Sequence, residues 1–345
     1  MHSMGIFFLK NKEGHLGIDV GASGVKLVEL ESSGGRARLR TYAYADRPLA
    51  AVEKNPFEDP AALGALIKTM VGRAKVRSRE ATAAVATAHV FSSVMTVPAT
   101  GDKEIAAAVE LQARKLMPLP LEQMHWDSKV LEKKEKFTRV LVTGASNSLV
   151  QQIMSAFKVA GIKLATLEPE SFALVRALIG RDAAPTVVVD LGGLRTNILI
   201  VERGVPELTR SIIVGGYAAT KAIAQSSMVG IEDAERLKLD APNDASFASI
   251  LPTIINEIKY LVQNFISASS EPKNVEKIIL TGGASRSPGI VDAVRSATGI
   301  KTYLGDPWAR ILCPDELRPE LELLGTRFAV AIGLAMRDLQ PKNPK

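Results

Sequence analysis

The chain has 345 residues, 46% of them hydrophobic and 23% charged, enough for one or two sizeable cores and, by length alone, two domains. Its single cysteine, Cys313, excludes an internal disulfide and suits a reducing cytoplasm. The net charge of +6 would suit nucleic acid, but the densest basic stretch, Lys129 to Arg139, interleaves Glu132 and Glu135 with its lysines. That stretch lies between two strand-like runs, so a solvated hairpin turn is expected and no nucleic-acid partner.

In chain order, the first apolar run is Ile6-Phe7-Phe8-Leu9, closed by Lys10 and Lys12. It falls far short of a secretory core or of the ~20 residues a membrane span needs. Membrane association is therefore expected only through a partner or a surface patch.

Leu16 to Leu30 follows, a β-branched strand carrying Asp19, a small turn with Gly21, Ser23 and Gly24, and a second strand with Lys26. Val85 to Val97 reads as one strand. Ile105, Val109, Ala113 and Leu116 fall on one helical face, and Pro118 stops that helix. Two strands, Trp126–Leu131 and Phe137–Val142, flank the charged turn, and a helix runs from about Asn147 to Ala160. Glu168 and Glu170 bracket Pro169 just ahead of a helix, where the positive end of the dipole favours acidic residues.

Thr186 to Ile200 repeats the first pattern: a strand ending in Asp190, a turn with Gly192 and Gly193, then Thr196 opening another apolar strand. Asp19 and Asp190 lie 171 residues apart, almost half the chain, a period that means two similar domains rather than a solenoid. Glycines let a turn's backbone approach a ligand with N–H groups free for anionic oxygens. Ser23 and Thr196 can add hydroxyls and Lys26 a positive charge. Aspartates would repel bare phosphate, but they suit a hydrated Mg²⁺, which keeps several waters and takes few carboxylates.

Gly215-Gly216 then precedes a helix-like run from Ala218 to Ala224. Glu235 and Lys238 stand at i,i+3 spacing, which by itself reads as an exposed helix pair. Lys277–Leu280 is a strand, Thr281 to Arg286 a turn with Gly282 and Gly283, and Ser287-Pro288 opens a helix that Gly299 ends. Such a strand, double glycine and helix start can receive a nucleotide's sugar, base or phosphate. No G-x-x-x-x-G-K-[ST] and no G-x-G occurs, which argues against P-loop and Rossmann proteins. His89 and His125 show no metal-ligand spacing to each other or to Cys313.

Two hairpins followed by strand, Gly-Gly and helix, in this order, resemble the phosphate 1, phosphate 2 and adenosine motifs of the actin, sugar-kinase and heat-shock-chaperone ATPase superfamily. Ala234-Glu235-Arg236-Leu237-Lys238 resembles its A-E-x-x-K stretch. Three further segments are similar to the PilM family of type IV pilus assembly proteins: Val109 to Glu122, Ala160 to Lys163 with Glu168 to Ala177, and Gly325 to Arg337. The resemblance covers Leu16 to Gln340.

It implies an α/β, actin-like (ribonuclease H-like) two-domain ATP-binding fold. Domain I would comprise 14–82 and 151–184 with a C-terminal helix at 324–338, and domain II 185–323. A small α/β subdomain at 83–150 would help form a groove for the cytoplasmic N-terminal peptide of PilN, an inner-membrane partner. The cofactors implied are ATP and Mg²⁺, the ion held through water by Asp19 and Asp190. Gly21, Ser23, Gly24, Gly192, Gly193 and Thr196 would clamp phosphates and Lys26 would neutralise charge. Gly282, Gly283, Glu235 and Lys238 would hold the adenosine, and Gly215, Gly216 and Arg286 would also belong to the cofactor site.

Leu194-Arg195 depart from the small or acidic residues common in relatives; Arg195 either contacts a phosphate or points into solvent. Glu170, and Glu168 second, are the candidates to orient an attacking water. At most a slow Mg-ATPase is expected, acting as a scaffold with other pilus platform and motor proteins. It would be cytoplasmic, peripheral at the inner membrane through its partner, with homo-oligomerisation left open. Alternatives are an FtsA-like filament former, a type II secretion platform component and a small-molecule kinase. The polar, proline-broken stretch from Asp338 to Lys345 is unlike the amphipathic membrane-targeting helix of FtsA-like chains.

Overall fold

The computed structural model describes residues 15–98, 101–240, 245–268 and 273–339; the apolar run at 6–9 and the tail at 340–345 lie outside them. The chain opens with an antiparallel meander, β1 (His15–Gly21), β2 (Gly24–Ser33) and β3 (Arg36–Asp46). Next comes α1 (Pro60–Arg73), started by Pro60 and by Asp59, whose Oδ1 accepts from the Ala62 N–H at 2.9 Å. It leads to β4 (Glu80–Val85), parallel to β1.

A three-stranded antiparallel layer then interrupts this sheet. It holds β5 (Val90–Val97), β6 (Met124–Lys133) and β7 (Thr138–Ser146) in the order β5-β7-β6, with α2 (Asp102–Leu116) packed on one side. Met95, Val97, Ile105, Val109, Ala113, Val140 and Val142 make its separate core. The expected hairpin around the charged turn is therefore present as β6 and β7. The single strand expected over Val85–Val97 is not. Its apolar composition is continuous, yet the chain changes sheets through a tight turn at Thr87–His89, where the Thr87 N–H bonds a side chain instead of a strand.

The chain returns through α3 (Asn147–Ala160), capped by Ser146 and ended by Gly161 in the left-handed region, to β8 (Lys163–Pro169) and α4 (Glu170–Leu178). The second half repeats the design. A meander of β9 (Thr186–Leu191), β10 (Thr196–Glu202) and β11 (Val205–Ile212) precedes α5 (Gly216–Ser227), α6 (Ile231–Asp240), α7 (Ala245–Ala248) and α8 (Leu251–Ser267). Then come β12 (Lys277–Thr281), a single helical turn at Gly283–Arg286, α9 (Ile290–Thr298) and β13 (Lys301–Leu304). The helix expected from Ser287 begins at Ile290, because Gly289 takes φ +75° and breaks the turn from the helix. Finally β14 (Ile311–Leu312) joins β3, and α10 (Arg318–Leu324) and α11 (Ala329–Ala335) close the chain.

The two main sheets have the orders β14-β3-β2-β1-β4-β8 and β11-β10-β9-β12-β13. Within each, the meander is antiparallel and the two strands beyond its first member run parallel to it. That is the duplication the repeated aspartate hairpin predicts. α4 and α11 are shared: Ala173, Leu174, Val330 and Leu334 pack with Ala84 of the first sheet and Val188, Leu199 and Val201 of the second. Two glycines permit this close fit. A Cβ on Gly17 would lie 2.2 Å from Ala331 O, and one on Gly333 1.9 Å from Ala173 O.

Candidate functional site

The two repeated strands end facing each other. β1 delivers Asp19 and β9 delivers Asp190, and the cross-strand partner of each aspartate is seven residues on: Lys26 opposite Asp19, Asn197 opposite Asp190. Lys26 is buried, its Nζ 3.5 Å from Asp19 Oδ2 and 3.4 Å from Gly24 O. Asn197 Nδ2 lies 3.4 Å from Asp190 Oδ2 and donates to Glu170 Oε1 at 2.9 Å. The Thr87 N–H donates to that same Glu170 oxygen at 2.7 Å. Glu170, at the start of α4, thus gathers the turn at the root of the inserted layer and the second hairpin around one buried carboxyl.

Electrostatics follow from this crowding. Burial, then the neighbouring Asp190 and Asp19 charges, push Glu170 up to about 8 against the opposing Thr87 hydrogen bond. Burial, then Asp19, push Asp190 up to about 6, with Asn197 and Lys26 opposing. Around neutral pH the cleft therefore holds more negative charge than Lys26 offsets, and a cation would relieve it. Asn197 Oδ1 is buried without a hydrogen-bond partner, an acceptor that water on such an ion can satisfy. Two aspartates, one from each hairpin, beside the unpartnered Asn197 oxygen suit a cation that keeps most of its water shell, as Mg²⁺ does.

The glycines set the shape. A Cβ on Gly193 would meet Ser23 Cβ at 2.9 Å, so the two turns touch. One on Gly21 would meet Lys26 Nζ at 3.3 Å. Gly24 has φ +156° and packs under Ala45 O. The Arg47 guanidinium braces the first turn from behind, Nη1 donating to Ala22 O at 3.1 Å. In the second turn Gly192 N–H donates to Arg195 O at 2.9 Å, and the Gly192 and Gly193 carbonyls accept from Gly216 and Tyr217 N–H at 2.9 and 2.8 Å. The start of α5 is thereby fixed to the second glycine turn, with Gly215 wedged so tightly that a Cβ would lie 2.7 Å from Gly192 O.

Next to it, Lys238 Nζ donates to Glu235 Oε2 at 2.6 Å, Thr220 Oγ1 at 2.8 Å and Gly216 O at 3.2 Å, and Thr220 also bonds Glu235. Glu235 and Lys238 are therefore not a solvated helix pair: they tie α6 to the first turn of α5. Gly282, at φ +85°, leaves no room for a side chain, a Cβ falling 2.6 Å from Asp190 Oδ1. Gly283 is exposed beside the Arg327 side chain.

Three candidates, Thr196, Arg286 and Glu168, are directed elsewhere. Thr196 is fully buried and its hydroxyl donates to Val214 O at 2.6 Å. Arg286 donates to Glu322 O at 2.6 Å on α10. Arg195 is half-buried and faces His89, whose pKa is lowered by burial first and by that guanidinium second. Glu168 is bound to Arg176 by two hydrogen bonds of 2.8 and 2.9 Å, away from Asp190's partners. Three contributors escape a motif reading: Thr87, Thr220 and Asn197. Aligning the hairpins on their aspartates finds Asn197 at the position of Lys26; Thr87 sits inside an apolar run and carries no such signal.

Known proteins share this fold. The family model for the type IV pilus assembly protein PilM matches residues 17–339. The chain is 25% identical to a chain of a solved PilM–PilN type IV pilus biogenesis complex, covering 96% of this chain and 100% of that one with TM-score 0.85. It shares its fold, at TM-score 0.57 and 15% identity over 95% of this chain and 91% of the other, with the ethanolamine utilization protein EutJ from Carboxydothermus hydrogenoformans. It is 27% identical over 228 residues to the cell division protein FtsA of Neisseria meningitidis serogroup B, matching 57% of this chain. That match spans about half, 53%, of the FtsA chain. Among the described residues no helix is long and apolar enough to cross a membrane. The fold is actin-like, and the chain belongs to the PilM family of type IV pilus assembly proteins.

Proposed function

We propose that the chain is a nucleotide-gated scaffold of type IV pilus assembly. ATP with a hydrated Mg²⁺ occupies the cleft between the two sheets and favours their closed arrangement. The closed chain then binds the cytoplasmic N-terminal peptide of an inner-membrane PilN at the inserted layer. The observation that carries this reading is the facing pair Asp19 and Asp190, one from each sheet, beneath two turns in contact through Ser23 and Gly193. In this reading Asp19 and Asp190 take the ion's waters, Lys26 and the turn N–H groups take phosphate oxygens, and Gly215, Gly216, Lys238 and Gly283 line the nucleoside side. A ligand held by both turns favours closure by binding the closed form more tightly.

Support for coupling to the inserted layer comes from the Thr87 N–H to Glu170 bond at 2.7 Å, which joins the root of that layer to the cleft. A second tie is the Arg139–Glu207 ion pair of 2.6 Å, between β7 and β11. Support for slow turnover comes from Glu170 itself: the Thr87 N–H and Asn197 Nδ2 both donate to its Oε1, at 2.7 and 2.9 Å, so that oxygen is already engaged and a poor acceptor for a water's proton.

The test is calorimetric titration of Mg-ATP into the wild-type chain and into Asp19→Asn and Asp190→Asn variants. Saturable Mg-dependent binding, weakened about tenfold or more by each variant, supports the reading. Mg-ATP binding unaffected by both variants contradicts it. The similarity to FtsA favours one second reading, an ATP-dependent filament, which electron micrographs of the Mg-ATP-loaded chain would reveal.

A further inference from the structure

The end of the six-stranded sheet remote from the cleft concentrates positive charge that the fold does not consume. β1, β4 and β8 run toward the cleft, so their first residues and the β2–β3 turn lie at the opposite end. β3 begins there with Arg36 and Arg38 and continues to Arg40. α1 ends there at Arg73, followed by Lys75, Arg77 and Arg79 on the way into β4. Hydrogen bonds draw these segments together. Thr41 Oγ1 donates to Ala74 O at 2.9 Å. The Ser78 N–H donates to Glu29 Oε1 at 2.7 Å, and the same carboxylate accepts from Arg40 Nε at 2.8 Å. Lys163, at the start of β8, donates its N–H to Arg79 O at 2.9 Å.

The carboxylates at this end, Glu29, Glu31, Glu80 and Asp338 near His15, are outnumbered by the cations. Glu29 is fully buried and taken by Arg40 and the backbone of Arg77 and Ser78. Glu31 meets Arg38 at 3.9 Å, and Glu80 holds Lys163 at 2.7 Å. That leaves Arg36, Arg73, Lys75, Arg77 and Arg79, all exposed, with no side-chain ion pair or hydrogen bond to any described residue. The C-terminal dipole of α1 accounts for a cation at Arg73, and for none of the others.

What such a surface fits is set by its chemistry. Four of the five free cations are arginines, whose planar forks match phosphate oxygens. They come from a hairpin, a helix end and a connecting segment, an arrangement suited to a broad polyanionic surface. β1 starts at His15 on this same end, so the preceding residues join the chain here, and their sequence carries Ile6-Phe7-Phe8-Leu9 followed by Lys10 and Lys12. An apolar run in the sequence just ahead of a strand that starts at this cationic end suits the lipid–water boundary better than a nucleic acid or an acidic protein.

We propose that this end of the first domain docks directly on an anionic phospholipid bilayer, with Arg36, Arg73, Lys75, Arg77 and Arg79 meeting lipid phosphates. The contact is independent of the nucleotide reading: it lies at the other end of the sheet and leaves the cleft open. It would hold the chain at a membrane surface before any protein partner is engaged.

The test is co-sedimentation of the full chain with vesicles at physiological ionic strength. One set is phosphatidylcholine alone and the other contains phosphatidylglycerol as a minority lipid. The wild type is expected to sediment with the anionic vesicles and to stay in solution with the neutral ones. Arg73→Ser/Arg77→Ser/Arg79→Ser is expected to lower partitioning at least about tenfold, with an unchanged thermal melt. Should that variant fail to fold, Arg36→Ser/Lys75→Ser, which leaves the Glu29 bonds intact, carries the same expectation at a smaller reduction. Equal binding to both vesicle types, wild-type binding by a folded variant, or no vesicle binding beside capture of polyglutamate or duplex DNA would overturn the proposal.

Discussion

Ser23 and Gly193, one on the glycine turn of each half, are in direct contact: a methyl group on Gly193 would sit 2.9 Å from Ser23 Cβ and 3.3 Å from its Oγ. Gly193 is absent from the positive-φ residues, so alanine there strains only the contact between the turns. Gly193→Ala is expected to wedge the cleft open and weaken Mg-ATP binding about tenfold, with the thermal midpoint of the free chain nearly unchanged. Adding Ser23→Gly removes the obstructing Cβ and is expected to recover most of the lost affinity, a coupling that a double-mutant cycle by calorimetry reads directly.

Glu170 gives a pH signature. Its carboxyl moves from 4.5 to about 8 in the fold, so the folded state binds that proton more tightly than the unfolded chain. The stability from this group is therefore full below about pH 4.5 and is lost as pH rises toward 8. Glu170→Gln keeps an oxygen for Thr87 N–H and Asn197 Nδ2 while removing the charge. The variant without nucleotide is expected to be the more stable one at pH 8, by roughly 4 kcal/mol, and nearly equal to wild type at pH 4.5. Urea titrations across that window check it.

A second buried carboxylate is structural. Glu29 is 0% exposed, 2.8 Å from Arg40 Nε, and also accepts from Arg77 and Ser78 N–H. Glu29→Ala strands a partly buried guanidinium and two backbone donors, for an expected loss of about 3–5 kcal/mol in urea unfolding.

Gly333 is where α11 crosses α4, and a Cβ there would lie 1.9 Å from Ala173 O. Backbone cannot step aside as a side chain can. Gly333→Ala is expected to cost about 3 kcal/mol or more and to lower the thermal midpoint of the whole chain, because α11 belongs to the core shared by both sheets. Gly72→Ala, with open space around it, is the matched control and should leave that midpoint unchanged.

Much of this was legible in the sequence because repetition is visible without a structure. The 171-residue separation of Asp19 and Asp190 corresponds to two sheets of matching order. Asp19, Lys26, Asp190 and the turn glycines come together as their spacing suggests. What composition could not carry was direction. Thr196 looks like a turn hydroxyl until its strand register turns it inward to Val214 O. Arg286 follows a double glycine, but a carbonyl on α10 is nearer than the cleft. Glu235 and Lys238 have the spacing of an exposed pair, and only the arrival of Thr220 from α5 makes them a tether. Thr87 was hidden because a turn between sheets and a continuing strand share the same residues, Ala86 to Val90.

The most direct measurement of the central claim is calorimetric titration of the chain with a synthetic peptide of its own organism's PilN N-terminus, with and without Mg-ATP. Nucleotide-gated scaffolding predicts saturable one-to-one binding that is at least about tenfold tighter with Mg-ATP. It also predicts that the advantage is lost in Asp190→Asn. Equal peptide affinity in both conditions, or no binding in either, would contradict it.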